Sequence, residues 1–313
     1  MGLLALLGFA LAGYSVIAND SVQTLGTWIS SNREKFKWYT LWITSSLVLI
    51  GTLVYSWYTM DGDISFGRLE KIPFQEIKWY HALAPLVLIY LTRKGIPVST
   101  SFLVLSTFAT SVVLGGMLMK SIVGYAVAAV AAYIIWWILS KYIDERRDIR
   151  SNHKPYWRIS QWLTTGFLWV SWLAHDVANI SVFLPRQLDL SQLILVLLFF
   201  TAIMGWVFYE NGGKIQKLLI NKQNTKYIRS ATIIDLVYAL ILWYFKEVNS
   251  LPMSTTWVFV GLLTGRELAL ASCLSSKRGF KKVFPMLVGD FVKLLIGLLV
   301  SVGIVLMIHY FLN

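Results

Sequence analysis

Apolar runs of membrane-spanning length recur along the whole of this 313-residue chain, and no other feature constrains its fold as strongly. A lipid core has no water to satisfy peptide N–H and C=O groups. A spanning stretch of about 20 apolar residues must therefore close its hydrogen bonds within itself, as a helix. The runs predict segments near 2–30, 38–59, 76–92, 98–119 and 121–140, then 157–184, 190–209, 231–246, 253–274 and 283–312. The expected fold class is an all-α polytopic membrane protein of about ten transmembrane or re-entrant segments. Only 14% of the residues are charged, against about 25% in soluble proteins, which excludes a merely apolar soluble enzyme. Fourteen Trp and fifteen Tyr suit two interfacial belts. The run from Met1 to Ala18 lacks a positive start and leads straight into a polar motif, so it reads as a retained first helix and not a signal peptide.

The segments form two sets of five, and polar motifs mark the same places in each. Ala18-Asn19-Asp20-Ser21 closes the first run, and Ala174-His175-Asp176-Val177-Ala178-Asn179 closes the sixth. Pro97-Val98-Ser99-Thr100-Ser101 and Pro252-Met253-Ser254-Thr255-Thr256 open the fourth and ninth. The copies are offset by 156 positions at the Asp and 155 at the Pro, about half the chain. The sequence thus divides into a first repeat, 1–140, a linker, 141–156, and a second repeat, 157–313. Each Asp motif interrupts its segment, which reads as a pair of half-helices. The Pro-x-Ser-Thr segments fit either a full span or a re-entrant hairpin.

A repeat of five spans enters the membrane the second time from the opposite face, the inverted-topology plan of many secondary transporters. Loop charges agree. Twenty of the 28 Lys and Arg fall in the odd-numbered loops, which positive-inside sorting assigns to the cytoplasm. Both termini are then outside, and the linker 141–156 is cytoplasmic. The loop 61–78 carries four acids against three bases and suits the outer face. The net charge of +12 is thereby spent on sorting in short loops, which argues against nucleic acid as a partner. A multi-pass protein of a plasma or inner membrane, with the lipid bilayer as its surroundings, is expected. A single cysteine, Cys273, excludes an internal disulfide and gives no metal-ligand spacing.

A carboxylate inside a spanning helix costs roughly 2.5–3.5 kcal/mol, so Asp20 and Asp176 should face a cavity, an ion or a partner. Pro suits a first helical turn, which leaves Ser99, Thr100, Ser254 and Thr255 beside outward-pointing N–H groups. Hydroxyls and free N–H groups at a positive helix end favour an anion. An anion there would be repelled by the carboxylates, by about 4 kcal/mol per pair of charges at 4 Å and an effective dielectric of 20. A bound Na⁺ or a proton removes that repulsion, so cation and anion bind best together. Co-transport is the resulting expectation. His175 has two readings: a neutral imidazole where a carboxamide would serve, or a titrating group that couples transport to protons. Asp235 is an additional candidate cation ligand. Arg266 and Glu267 are sequence neighbours, are not expected to face each other on one helix, and read as structural or gating contacts.

At these motifs the chain resembles the inorganic phosphate transporter family, the Na⁺- or H⁺-coupled phosphate permeases, as a divergent member. The family's duplicated Gly-Ala-Asn-Asp-Val-Ala-Asn-Ala is echoed by Ile17-Ala18-Asn19-Asp20-Ser21-Val22-Gln23-Thr24 and by Leu173-Ala174-His175-Asp176-Val177-Ala178-Asn179-Ile180. Its Pro-Val-Ser-Thr-Thr-His is echoed by Pro252-Met253-Ser254-Thr255-Thr256-Trp257. The resemblance implies symport of phosphate with Na⁺ or H⁺ as coupling ion and no other cofactor. It implies Asp20 and Asp176 as cation or phosphate ligands. Asn19, Asn179 and their counterparts Gln23 and His175 would supply further polar ligands, and Ser99, Thr100, Ser101, Ser254, Thr255 and Thr256 the hydroxyls. It also suggests a homodimer. Gln23 and His175 stand where the family has Asn, which leaves sulfate or another oxyanion as the rival cargo. An enzyme acting on a lipid phosphate would need a nucleophile or metal cluster, and the sequence has no such grouping. A channel or a transport-inactive relative stays open.

Overall fold

The computed structural model describes residues 2–94, 98–142, 154–210, 228–273, 280–308 and 310. Pro97, most of the central linker, the basic stretch Lys214–Lys226 and the pair Lys277-Arg278 lie outside them. Within them the chain is helical, with no strand. The helices are α1 Leu3–Asn32, α2 Trp38–Thr59, α3 Leu83–Arg93, α4 Thr100–Leu103, α5 Ser111–Tyr142, α6 Lys154–Asp176, α7 Ala178–Ser181, α8 Leu190–Tyr209, α9 Ile228–Val248, α10 Thr255–Ser272 and α11 Phe280–Met307. Short 3₁₀ turns at Trp79–Ala82 and Leu105–Thr107 complete them. Parts or all of α1, α2, α5, α8, α9 and α11, six helices, are long and apolar enough to cross a membrane.

The helices that carry the polar motifs occupy the interior. Helix α1 packs against α3, α6, α8 and α9, and α6 against α2 and α9. Helix α10 lies along α5 and touches α11. The α5–α10 contact is unusually close because Gly261 and Gly265, four apart, share one face. A Cβ on either would collide with the backbone carbonyl of Tyr125 or Ala129. Small residues at this spacing let membrane helices approach through their backbones. Helix α5 turns much of its other surface outward, with Val112, Met119, Val130, Ile134 and Trp137 exposed.

Three sequence expectations are corrected. The boundary drawn at Lys120, between segments 98–119 and 121–140, lies inside the single helix α5. Lys120 needs no loop, because its ammonium donates to Asn249 O at 3.1 Å, Asn249 Oδ1 at 2.8 Å and Leu251 O at 2.8 Å. The Asp20 motif does not break α1, which runs continuously for 30 residues. The hydroxyls of Ser15, Ser21 and Thr24 satisfy carbonyls of their own helix there, at Ala12, Ile17 and Asp20. Arg266 and Glu267 do pair, Nη1 to Oε1 at 3.0 Å, because both side chains are long enough to meet beyond the backbone. Arg266 also donates to Ser230 Oγ at 3.0 Å and lies over the Trp136 ring.

Candidate functional site

Two buried helix tips and two buried carboxylates meet in the interior. Each tip starts with a serine in extended conformation, Ser99 at ψ 115° and Ser254 at ψ 107°. Each serine oxygen accepts the N–H three residues on, from Phe102 and from Trp257, both at 3.2 Å. These are N-caps: one otherwise orphaned N–H of the first turn is satisfied without solvent. The caps occupy Ser99 and Ser254 and leave the following hydroxyls to turn elsewhere.

The tips grip each other reciprocally. Ser101 Oγ donates to Met253 O at 3.1 Å, and Thr256 Oγ1 donates to Val98 O at 3.4 Å. In each case the third hydroxyl of one tip reaches the carbonyl just ahead of the serine in the other. Tyr238 reinforces the second tip by donating to Thr255 O at 2.9 Å, and Ser121 accepts the N–H of Ser254 at 2.8 Å.

Asp176 ends α6 beside the first tip. Its Oδ1 receives Asn179 Nδ2 at 2.9 Å and Thr100 Oγ1 at 3.4 Å, and it lies 3.5 Å from Ser101 Oγ, whose single proton it shares with Met253 O. Asn179 Nδ2 also donates to Thr100 Oγ1 at 3.0 Å. Thr255, from the second tip, stands close enough to act on the same carboxylate. Asp20 lies near enough to Asp176 for their charges to interact. Its Oδ1 receives Asn19 Nδ2 at 2.6 Å and Gln23 Nε2 at 3.3 Å. Asp20 Oδ2, Asp176 Oδ2 and Asn179 Oδ1 are buried acceptors with no hydrogen-bond donor among the described residues. The site is therefore rich in oxygen ligands.

The structure brings together Asn19, Asp20, Gln23, Thr100, Ser101, Asp176, Asn179 and Thr255, with Ser99, Ser254 and Thr256 framing the tips. His175 and Asp235 make hydrogen bonds outside this cluster. His175 Nε2 pairs with Leu242 O at 2.8 Å, on the flank of α9. Asp235 receives Thr27 Oγ1 at 2.7 Å and Thr165 Oγ1 at 2.5 Å, so each of its oxygens is engaged by a hydroxyl. Among the described residues no three His, Cys, Asp or Glu side chains gather as metal ligands.

One residue of this region escaped sequence reasoning. Arg68, from the connection between α2 and α3, is buried against both second-half motifs. Its Nε donates to Ala174 O at 3.2 Å, and its Nη1 to Asn249 O at 3.0 Å and Leu251 O at 3.3 Å. Ala174 sits two residues before Asp176, and Leu251 three before Ser254. Burial draws the guanidinium down to about 10, which leaves it charged at neutral pH. Asp61-Gly62 and Phe66-Gly67, ahead of it, hold positive φ, but in sequence the stretch reads as an ordinary outer loop.

No family model matches this chain, and no curated protein matches it in sequence. Among solved structures it is similar to the sodium-dependent phosphate transporter, with a TM-score of 0.62 and 17% identity, over 96% of this chain and 95% of that one. Identity at that level speaks to architecture: the chain has the all-helical, multi-pass membrane fold of that transporter.

Proposed function

We propose that this protein is a secondary transporter that moves inorganic phosphate across a membrane together with Na⁺. One observation carries the reading: Asp176, at the end of one motif helix, is hydrogen-bonded by Thr100 and Ser101 from the helix tip of the other half. The motifs expected to cooperate stand together, within a fold shared with a sodium-dependent phosphate transporter.

The arrangement accounts for coupling. Na⁺ is a hard cation that takes carboxylate, hydroxyl and carbonyl oxygens, the donor set that the Asp20–Asp176–Thr100 region supplies in excess. The tetrahedral anion takes the Ser and Thr hydroxyls and the first-turn N–H groups of the tips. With the carboxylates unneutralised, the anion meets about 4 kcal/mol of repulsion per nearby charge at an effective dielectric of 20. With Na⁺ between them, each ligand stabilises the other. The two halves, 1–140 and 157–313, act as inverted repeats in this reading, with both termini outside and 141–156 cytoplasmic, and the tips alternate access by rocking against each other.

The test is uptake of ³²P-phosphate and ³⁵S-sulfate into proteoliposomes, with Na⁺ and proton gradients imposed separately. Saturable phosphate accumulation driven by the Na⁺ gradient is expected. Accumulation driven by protons alone would reassign the coupling ion, and sulfate outcompeting phosphate would reassign the cargo. Turnover of a phosphoester without accumulation would replace the carrier with an enzyme.

A further inference from the structure

We propose that Arg68 is the anion-recognising cation of this carrier, donating from its Nη2 to an oxygen of the transported oxyanion beside Asp176 and the Ser254 tip. The proposal rests on the transport reading and names the group that supplies the positive charge its neutral hydroxyls lack.

The guanidinium is 1% exposed, and Nη2 is buried without a hydrogen-bond acceptor among the described residues. Burying such a donor unpaired is costly, and an arginine is rarely left so without a partner to come. The other nitrogens are committed to Ala174 O, Asn249 O and Leu251 O. Two of those carbonyls are already served by Lys120, at 3.1 and 2.8 Å. Holding the 249–251 turn therefore does not by itself call for a guanidinium. What arginine adds is the third nitrogen, a charged donor still free to meet one oxygen of a tetrahedral anion while the other two hold the carbonyls.

Position supports the role. The Arg68 charge acts on Asp176, at the centre of the site. A dedicated support delivers it there. Asp63 receives the N–H of Ser65 at 2.6 Å on one oxygen and that of Gly67 at 2.9 Å on the other. Ser56 Oγ donates to Asp63 O at 2.8 Å and accepts from Phe66 N at 3.3 Å. Phe66 and Gly67 hold positive φ, 56° and 70°, immediately before the arginine. A non-glycine residue in that region is uncommon and persists where its surroundings fix it. This turn aims a charged side chain from a connecting segment into the interior.

The experiment compares wild type, Arg68→Gln, Arg68→Lys and Lys120→Gln as full-length protein. It reads ³²P-phosphate uptake in proteoliposomes, equilibrium ²²Na⁺ binding and melting temperature in detergent. Arg68→Gln is expected to raise the phosphate KM by about tenfold or more, with ²²Na⁺ binding near wild type. Lys120→Gln, which loosens the same turn but spares Nη2, is expected to change KM by less than about threefold. Arg68→Lys keeps the charge without the free Nη2 and should fall between them. It decides the matter if Arg68→Gln does not fold, since an unchanged KM in a stable Arg68→Lys protein overturns the proposal. Equal losses of phosphate and Na⁺ affinity, copied by Lys120→Gln, would make Arg68 a clamp only and overturn it too. If wild type accumulates no phosphate, the transport reading falls. Equilibrium ³²P-phosphate binding to the purified protein then decides Arg68 separately: binding lost in Arg68→Gln upholds it, and equal or absent binding overturns it.

Discussion

The Ser99 and Ser254 tips start with the same cap geometry, yet the first supports a helix of four residues and the second a helix of 18. The residues beyond each cap decide this. After Ser99 the helix ends at Leu103 and passes into the 3₁₀ turn Leu105–Thr107, where the Ser106 and Thr107 hydroxyls take the carbonyls of Phe102 and Val104. After Ser254 it reaches Gly261 and Gly265, which seat the helix against the α5 backbone. The Asp motifs differ in the opposite sense. Asp20 lies within an unbroken α1, while Asp176 ends α6, and Arg68 takes the Ala174 carbonyl near that end. A carboxylate at a helix C-terminus adds to the negative end of the dipole, and the nearby guanidinium offsets it. A shared local motif thus fixes the first turn, and the partner across the interface fixes the rest.

The largest expected effect would split the two carboxylates. Asp176→Asn removes a charge engaged by Thr100, Ser101, Asn179 and Arg68, and phosphate uptake should fall by about 30-fold or more, the effect of about 2–5 kcal/mol. Asp20→Asn, whose hydrogen bonds come from neutral carboxamides, should cost less. Equal losses measured in proteoliposomes would mean that the two sites are equivalent after all. A middle-sized effect tests why the second tip continues as a helix. Gly265→Leu should destabilise the protein by at least about 1–3 kcal/mol, seen as a lower melting temperature in detergent. Gly115→Leu, in open space, should leave it unchanged. The smallest effect concerns the caps. Ser254→Ala should cost about 1 kcal/mol of stability, and Ser99→Ala, which caps only four residues, visibly less. The reverse order in thermal melts would place the first tip under more tertiary load than its length suggests.

Much of this arrangement was legible in the sequence. Polar residues at matching places in two apolar halves pointed to Asp20, Asp176, Thr100, Ser101 and Asn179, since such residues in lipid need a reason to be there. Lys120 misled the segmentation, because a charge inside an apolar run looks like a loop until Asn249 and Leu251 are seen to meet it. Arg266 and Glu267 misled in the same way, as adjacency was weighed without the reach of their side chains. Arg68 was hidden for a different reason: one base among four acids and two other bases in a short connection carries no sign of depth. The Gly261-x-x-x-Gly265 spacing is itself a sequence sign of the close α5–α10 contact.

Asp235 binds α1 and α6 through one oxygen each, by way of Thr27 and Thr165. Each hydroxyl donates to the carboxyl oxygen it faces. The residue therefore works as a three-way tie whose two cords are pulled from a single knot on α9. Should α1 and α6 part, one cord has to be released, and α9 follows whichever helix keeps its hold.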